Sequence, residues 1–220
     1  MIDAETAELA REKLYASVLS DVLDELGHME HAMLPHVRPI DDALTVFGRA
    51  RTALYMEMYE VEADINPYEL EIGLVDDLKP GDVAVLACPR SHRVAPWGEL
   101  LSTTARARGA VGCITDGLVR DIRLIRDMQF PVFAGGIGPL DSKGRGMVMR
   151  IDVPVECGGV IVNPNDYIFA DADGVVVLPA TLVEKAIELG FKKVESEDTV
   201  RAELERGDKL ADVFERHGIL

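Results

Sequence analysis

An apolar segment in the middle of the chain limits most strongly what this sequence can fold into. It contains a short apolar run at residues 83–88, a stretch with apolar residues at helical spacing at 99–108 that ends at Gly109, and a second apolar run at 111–115. Short apolar runs are typical of buried strands, and helical spacing followed by glycine indicates a helix and its end. A strand, a helix and a second strand form a parallel unit whose loops gather at one end of the sheet. The segment therefore predicts an α/β fold.

The remaining segments predict further helices and strands. We expect helices at residues 4–14, 17–26, 120–128, 180–206 and near 209–216, and strands at 46–59, 130–134, 159–162, 167–169 and 175–178. Turn residues separate the short strands between 147 and 179, so this part of the sheet should be antiparallel or mixed. No linker is long or polar enough to divide the chain. We predict one domain over residues 1–220, with a mixed sheet, N-terminal helices and a C-terminal helical extension over about 180–220.

The charge and hydropathy patterns bear on the partners of the chain. The 39 acidic and 23 basic residues give a net charge of −16, which would repel the phosphate backbone of a nucleic acid. No run of about 18 apolar residues is present, so we expect no membrane span. The N-terminus is acidic and lacks the pattern of a signal peptide, which predicts a cytoplasmic protein. An anionic ligand would need a local group of basic residues, for which the candidates are Arg90, His92, Arg93 and Arg120.

The cysteines and histidines do not form a recognisable metal motif. The three cysteines lie far apart without a C-x-x-C pair, which argues against a zinc ribbon or a redox motif. The histidine cluster of His28, His31 and His36 straddles a predicted helix end and a proline, and no cysteine or carboxylate motif accompanies it. We therefore do not expect a metal at these histidines.

Two predicted loop ends carry the residues that indicate chemistry. Gly98 and Glu99 open the predicted helix, where free backbone N–H groups favour a carboxylate or a phosphate. Arg120 and Asp121 follow Glu99 after twenty residues. A guanidinium can bind a substrate carboxylate through two hydrogen bonds while a neighbouring aspartate holds a hard cation. Taken alone, Arg120 and Asp121 are more typical of a surface ion pair, and it is the combination that indicates a site for an anionic, metal-bound ligand.

The order of several short motifs resembles the RraA-like family over roughly residues 15–215. This family contains the 4-hydroxy-4-methyl-2-oxoglutarate/4-carboxy-4-hydroxy-2-oxoadipate aldolases and the regulator of ribonuclease E activity A. The resemblance implies a β/β/α swivelling-domain fold and a trimer or a hexamer built from trimers. The motifs are Ser20-Asp21, Lys79-Pro80-Gly81-Asp82-Val83, Trp97-Gly98-Glu99, Asp116-Gly117-x-x-Arg120-Asp121, Phe130-Pro131-Val132-Phe133, Gly158-Gly159-Val160-x-Val162 and Ala170-Asp171-x-Asp173-Gly174-Val175-Val176.

The same resemblance implies a class II aldolase site that depends on Mg²⁺ or Mn²⁺ and lies between subunits. The aldolase pattern of an acidic residue, twenty residues and Arg-Asp is filled by Glu99, Arg120 and Asp121. Asp121 would be the metal ligand, Arg120 would bind the keto-acid end of the substrate, and Glu99 would orient metal-bound water. The backbone amides of Gly98, Glu99, Leu100 and Leu101 would hold the carboxylate. Glu197 would arrive from a neighbouring subunit to move a proton, or it is a solvated charge on its helix.

Two functions follow from this resemblance. The first is a lyase that cleaves a 4-hydroxy-2-oxo acid to pyruvate, with oxaloacetate decarboxylation as the same enolate chemistry. No lysine lies at the matched positions, which argues against a Schiff base. The alternative is a non-catalytic regulator that binds a protein such as a ribonuclease E-type nuclease. The retained Asp121 favours the enzyme, and the sequence leaves the physiological substrate open.

Overall fold

A computed structural model of the chain describes residues 2–60, 65–88 and 93–218. Arg90 and His92, two of the candidate basic residues, lie outside these ranges. The helices are α1 (Ala4–Lys13), α2 (Ala16–Glu25), α3 (Glu69–Asp76), α4 (Glu99–Ala107), α5 (Ile122–Asp127), α6 (Val183–Glu205) and α7 (Leu210–His217). The strands are β1 (Arg38–Pro39), β2 (Val46–Glu57), β3 (Asp82–Ala87), β4 (Gly112–Val119), β5 (Val132–Ile137), β6 (Gly146–Ile151), β7 (Val155–Cys157), β8 (Val160–Val162), β9 (Tyr167–Asp171) and β10 (Gly174–Leu178).

The main sheet is mixed, as the sequence predicted. Its strands run in the order β1-β5-β4-β3-β2-β9-β10, and β6 also pairs with β2. The four strands β2, β3, β4 and β5 are parallel to one another. The strands β1, β6, β9 and β10 pair antiparallel with their neighbours. The predicted parallel unit is confirmed, since Val83 of β3 pairs in parallel with Gly112 of β4, and α4 connects the two strands.

Strand β3 lies between two hydrophobic clusters because neighbouring side chains of a strand point to opposite faces. All six of its residues are buried. Ala84 and Leu86 join the cluster that contains Trp97 of the loop before α4. Val83 and Val85 join the cluster on the other face. A parallel strand covered on both faces reads as a continuous apolar run, which is why the sequence revealed it.

The N-terminal and C-terminal helices meet over one part of the sheet. A third cluster joins apolar residues of α1, α2 and α6 to β9 and β10, and it includes Leu19, Leu23, Phe169 and Ile187. The predicted N-terminal helices and C-terminal helical extension are therefore confirmed as elements. Across the described ranges, no helix combines the length and the apolar character that crossing a bilayer requires.

The sequence analysis did not predict α3 or β6. Helix α3 buries Glu71, Leu74 and Val75 but leaves Leu70 and Ile72 partly exposed, so its apolar pattern is weak. Strand β6 shows an irregular burial pattern and is held by its antiparallel pairing with β2 across a register shift. Both elements depend on contacts with residues that are distant in the chain, and these contacts leave little local signal.

Candidate active site

A pocket of about 410 Å³ lies where α3, the loop before α4 and the end of β4 meet. Gly98, Glu99, Leu100, Leu101, Arg120 and Asp121, which the sequence analysis assigned to one site, all border it. Residues from two other segments complete the wall: Tyr68 and Glu71 at α3, and Asp141 and Ser142 after β5. The two predicted loop ends are therefore brought together in space.

The path of the backbone at the end of β4 sets the position of Arg120 and Asp121. Trp97 forms an isolated parallel bridge with Val119, and the backbone N–H of Arg120 donates to the carbonyl of Trp97 at 3.0 Å. Asp121 then adopts the left-handed conformation, with φ 60° and ψ 28°. For a residue other than glycine this conformation is sparsely populated and costs of order 1–3 kcal/mol. Such residues cluster at binding and catalytic sites, where the surrounding structure holds them in place.

Glycine at position 98 leaves room for the Arg120 and Asp121 side chains, which lie directly against it. A Cβ atom added to Gly98 would lie 2.8 Å from Asp121 Oδ2 and 3.1 Å from Arg120 Cγ. The backbone N–H of Glu99, at the start of α4, donates to the same Asp121 Oδ2 at 3.3 Å. The absence of a side chain at Gly98 thus lets the Asp121 carboxylate reach the N-terminus of α4, where the helix dipole favours negative charge.

A buried hydrogen-bond chain fixes the loop that precedes α4. The Trp97 indole N–H donates to Ser102 Oγ at 2.8 Å, and the Ser102 hydroxyl donates to the Gly98 carbonyl at 3.0 Å. The Trp97 ring also stacks on Phe130, with 6.4 Å between the ring centroids. These contacts tie the first turn of α4 to the loop, so the N–H groups that begin the helix point in a fixed direction.

Arg120 lies between two carboxylates at the mouth of the pocket. Its Nε is 3.7 Å from Asp121 Oδ2 and its Nη1 is 3.4 Å from Asp141 Oδ1. The Arg120 side chain is 37% exposed, so it can still contact a ligand. Asp141 also accepts a hydrogen bond from the Tyr68 hydroxyl at 2.7 Å. Burial alone would raise the pKa of Asp141, but the Tyr68 hydroxyl and the Arg120 charge hold this pKa below its usual range.

Glu99 and the two leucines after it form the outer edge of the pocket. Glu99 Oε1 accepts a hydrogen bond from the Thr103 hydroxyl at 2.8 Å, which holds the carboxylate along the helix. The Leu100 side chain is 75% exposed. Because the first residues of a helix lack a carbonyl four positions earlier, the N–H groups of Leu100 and Leu101 have no partner within α4. They are therefore available to bind an anion.

Glu71 is a site residue that the sequence analysis missed. It is 4% exposed and borders the pocket from α3. Burial is the main cause that raises the pKa of Glu71 to about 7, and the Asp141 charge raises it further. The available signal was a glutamate at helical spacing with Leu74, Val75 and Leu78, all of which are buried.

Glu197 does not border this pocket within the chain. It lies on α6, where its carboxylate accepts a hydrogen bond from the Tyr15 hydroxyl in a separate groove that also contains Arg201. Burial and Glu197 raise the pKa of Tyr15 to about 12. The contribution of Glu197 to the site of a neighbouring subunit stays a prediction.

The histidine cluster lies in the loop between α2 and β1. His31 is 3% exposed, and its Nε2 lies 2.8 Å from Ser20 Oγ. Its other ring nitrogen contacts the carbonyl of His28. Within residues 2–60, 65–88 and 93–218, no group of three or more His, Cys, Asp or Glu side chains could hold a metal ion. Any cation in the pocket would therefore rely on one or two carboxylates of this chain, such as Asp121 and Glu99.

Comparison with known proteins places this chain within a family. The model of the RraA-like family, described as Aldolase/RraA, matches residues 16–177. A protein of Halalkalibacterium halodurans named "Putative 4-hydroxy-4-methyl-2-oxoglutarate aldolase" is 32% identical over 183 residues, which cover 83% of this chain and 80% of that protein. In four further relatives, the matched region covers between 31% and 65% of the relative's length.

Solved structures show the same fold. The structure of an uncharacterized protein from Pseudomonas syringae pv. tomato superposes with a TM-score of 0.85 at 25% identity, and covers 96% of this chain and 93% of its own. RraAS2 from Streptomyces coelicolor, described as an unusual member of the RNase ES inhibitor RraA protein family, superposes with a TM-score of 0.80 at 26% identity, covering 91% of this chain and 97% of its own. The predicted fold is thereby confirmed, and the chain belongs to the RraA-like family.

Proposed function

We propose that this protein is a divalent-metal-dependent lyase that cleaves a 4-hydroxy-2-oxo acid of the 4-hydroxy-4-methyl-2-oxoglutarate type to pyruvate. Oxaloacetate decarboxylation is the related activity that we expect at the same site. The observation that carries the proposal is the position of Arg120 and Asp121 against the first turn of α4, in the space that the missing side chain of Gly98 leaves. The name of the Halalkalibacterium relative supports the substrate class.

Both reactions break a carbon–carbon bond and leave the enolate of pyruvate. The negative charge that develops on the enolate oxygen needs fixed positive charge and hydrogen-bond donors. The Arg120 guanidinium would bind the keto-acid end, and the N–H groups of Leu100 and Leu101 would hold a carboxylate. Among the described residues that border the pocket there is no lysine, which argues against a Schiff-base mechanism.

The carboxylates of the pocket fit a hard cation that keeps most of its water. Mg²⁺ is usually held by one or two carboxylates, with water and substrate in its other positions. The Asp121 side chain is 43% exposed and borders the pocket together with Glu99. Asp121 would be the direct ligand of Mg²⁺ or Mn²⁺, and Glu99 would orient water beside it. The cation would supply positive charge where the enolate oxygen develops.

We also propose that the protein assembles as a trimer or a hexamer, because exposed apolar side chains lie at the site. Leu100, which borders the pocket, is 75% exposed, and Ile137 of β5 is 60% exposed. Ile137 also lines a second depression that includes Arg120 and Asp121. Apolar side chains grouped in this way are typical of surfaces that another protein covers. A neighbouring subunit over them would shield the open pocket from water.

The test is a pyruvate-release assay over several 4-hydroxy-2-oxo acids and oxaloacetate. We expect turnover with Mg²⁺ or Mn²⁺ and its loss in chelator. Full activity after exhaustive chelation would contradict the metal-dependent mechanism.

Changing Arg120 to Ala should lower kcat/KM by about 10² because it removes one electrostatic donor. Changing Arg120 to Lys should recover only part, since a point charge cannot form the two-pronged contact.

The alternative is a non-catalytic regulator, which the similarity to RraAS2 supports. Such a protein would bind a ribonuclease E-type nuclease and change its activity without turning over a 2-oxo acid. The same purified protein distinguishes the two. Absence of pyruvate from every substrate, together with inhibition of the nuclease, would establish the regulator and contradict the lyase.

A further inference from the structure

Glu71 is an acidic side chain buried in the wall of the pocket. It is 4% exposed and borders the pocket from the first turn of α3, as Arg120 and Asp141 do from other segments. Arg120 is the cation whose charge acts on Glu71, and its ion pairs are with Asp121 and Asp141. A buried carboxyl group without a paired cation is most stable with its proton attached.

The groups around Glu71 come from each element packed against it. Tyr55 of β2 lies beside it, and the Tyr55 hydroxyl is buried with no hydrogen bond of ordinary geometry to a described residue. Asp141 and Ser142 approach from the segment after β5, Arg120 from the end of β4, and Tyr68 from the residue before α3. Desolvation and the Asp141 charge raise the pKa of Glu71 to about 7, although Tyr55 and Arg120 oppose this rise.

The other carboxylates of the pocket already have structural partners. Asp141 is held by the Tyr68 hydroxyl and Arg120, and Asp121 by the Glu99 N–H. A carboxyl group that is close to half protonated at neutral pH can both donate and accept a proton there. The cleavage reaction needs such a group, because the enolate must gain one proton at carbon to become pyruvate.

We propose that Glu71 is the acid that protonates the enolate carbon in this pocket, an inference that rests on the proposed lyase function. When the bond between C3 and C4 breaks, its electron pair becomes the enolate. The carboxylic acid of Glu71 then gives its proton to C3, a carbon–hydrogen bond forms, and the electron pair of the oxygen–hydrogen bond stays on the carboxylate. The proton released from the C4 hydroxyl, passed through water, restores Glu71. In oxaloacetate, carbon dioxide leaves and solvent supplies that proton.

The test compares Glu71→Gln with Glu69→Gln. Both residues lie on α3, but Glu69 is exposed and does not border the pocket, so it is a matched control. The first readout is exchange of the pyruvate methyl protons with D₂O, followed by NMR with Mg²⁺ present. We expect Glu71→Gln to slow exchange by about 10² or more, the scale of one acid–base group, while carbon dioxide release from oxaloacetate falls much less. Glu69→Gln should change neither rate.

The second readout needs neither metal nor turnover. The infrared carbonyl band of a protonated carboxylic acid should titrate near neutral pH in the wild-type protein and in Glu69→Gln, and it should be missing from Glu71→Gln. An unchanged exchange rate in folded Glu71→Gln would overturn this inference and leave the lyase standing. The absence of a carboxyl group that titrates near neutral pH in the wild type would also overturn it, even if Glu71→Gln fails to fold. A wild-type protein that forms no pyruvate would overturn the lyase and this inference together.

Discussion

At the scale of single residues, the site depends on one close approach. The Asp121 carboxylate and the Arg120 side chain occupy the space that any side chain at position 98 would need. The left-handed backbone of Asp121 is held by the bond from the Arg120 N–H to the Trp97 carbonyl. The geometry of the proposed ion and anion contacts is therefore set by a glycine that makes no contact with the ligand through a side chain.

Changing Gly98 to Ala should reduce activity without unfolding the protein. The new Cβ would lie 2.8 Å from Asp121 Oδ2, so the carboxylate and Arg120 must move. We expect kcat/KM for oxaloacetate to fall at least about tenfold, since small displacements of catalytic groups are costly. Gly73→Ala is the control, because a Cβ at this position in α3 meets no atom within 4 Å. It should leave activity unchanged and stabilise the helix by about 0.5–1 kcal/mol.

Glu71 makes the stability of the protein depend on pH in a predictable direction. Its pKa is about 7 in the folded protein and 4.5 in a model peptide. An acid with a raised folded-state pKa favours the folded protein at low pH, and that stability is lost as pH rises from about 4.5 to about 7. The shift corresponds to a loss of about 3 kcal/mol. Glutamine cannot ionise, so Glu71→Gln does not lose this stability. The difference in unfolding free energy between Glu71→Gln and wild type should therefore shift by about this amount in favour of the variant as pH rises from 4.5 to 8.

Denaturant unfolding at the two pH values measures this difference. Glu69→Gln should follow the wild-type curve at both, because Glu69 is exposed. Parallel stability curves for Glu71→Gln and wild type would show that Glu71 ionises as freely in the folded protein as in the unfolded chain.

At the scale of elements, the sequence was sufficient where a local pattern carried the information. The continuous apolar run of β3 and the helical spacing of α4 predicted the central parallel unit. Each pattern reflects how the residues of that one element are buried. The proximity of Gly98 and Arg120 could be predicted because the loops of a parallel unit gather at one end of the sheet. Tyr68, Glu71 and Asp141 were not predicted, since their contacts join segments that are separated by many residues and leave no spacing to recognise.

The hydroxyl of Ser102 should matter more to the loop before α4 than its size suggests. It accepts from the Trp97 indole N–H and donates to the Gly98 carbonyl, and all three residues are buried. Ser102→Ala leaves the indole N–H without its partner, which should lower the free energy of unfolding by about 1–3 kcal/mol. Denaturant unfolding tests this value. Ser196→Ala on α6 is the control, because Ser196 is exposed and should change stability by less than about 0.5 kcal/mol.

At the scale of the whole molecule, an open pocket and a strongly acidic surface need to be reconciled. The net charge is −16, so an anionic substrate is repelled except near Arg120 and the start of α4. The exposed Leu100 and Ile137 lie in that region. Covering them with a neighbouring subunit would remove apolar surface from water and would close the pocket, which strengthens the electrostatic contacts inside it.

The assembly prediction is that the protein is a trimer or a hexamer by light scattering, with Glu197 of one chain serving the site of the next. Within its own chain Glu197 contacts Tyr15 and not the pocket, so any role in the reaction must cross an interface.

Asp121→Ala protein and Glu197→Ala protein are each expected to be inactive. After the two are dissociated, mixed and reassembled, some sites combine an intact Asp121 with an intact Glu197, and activity should return in part. Glu195→Ala, which changes an exposed residue of the same helix, should remain active alone. A monomer in solution, or hybrids that stay inactive, would show that the site is built from one chain.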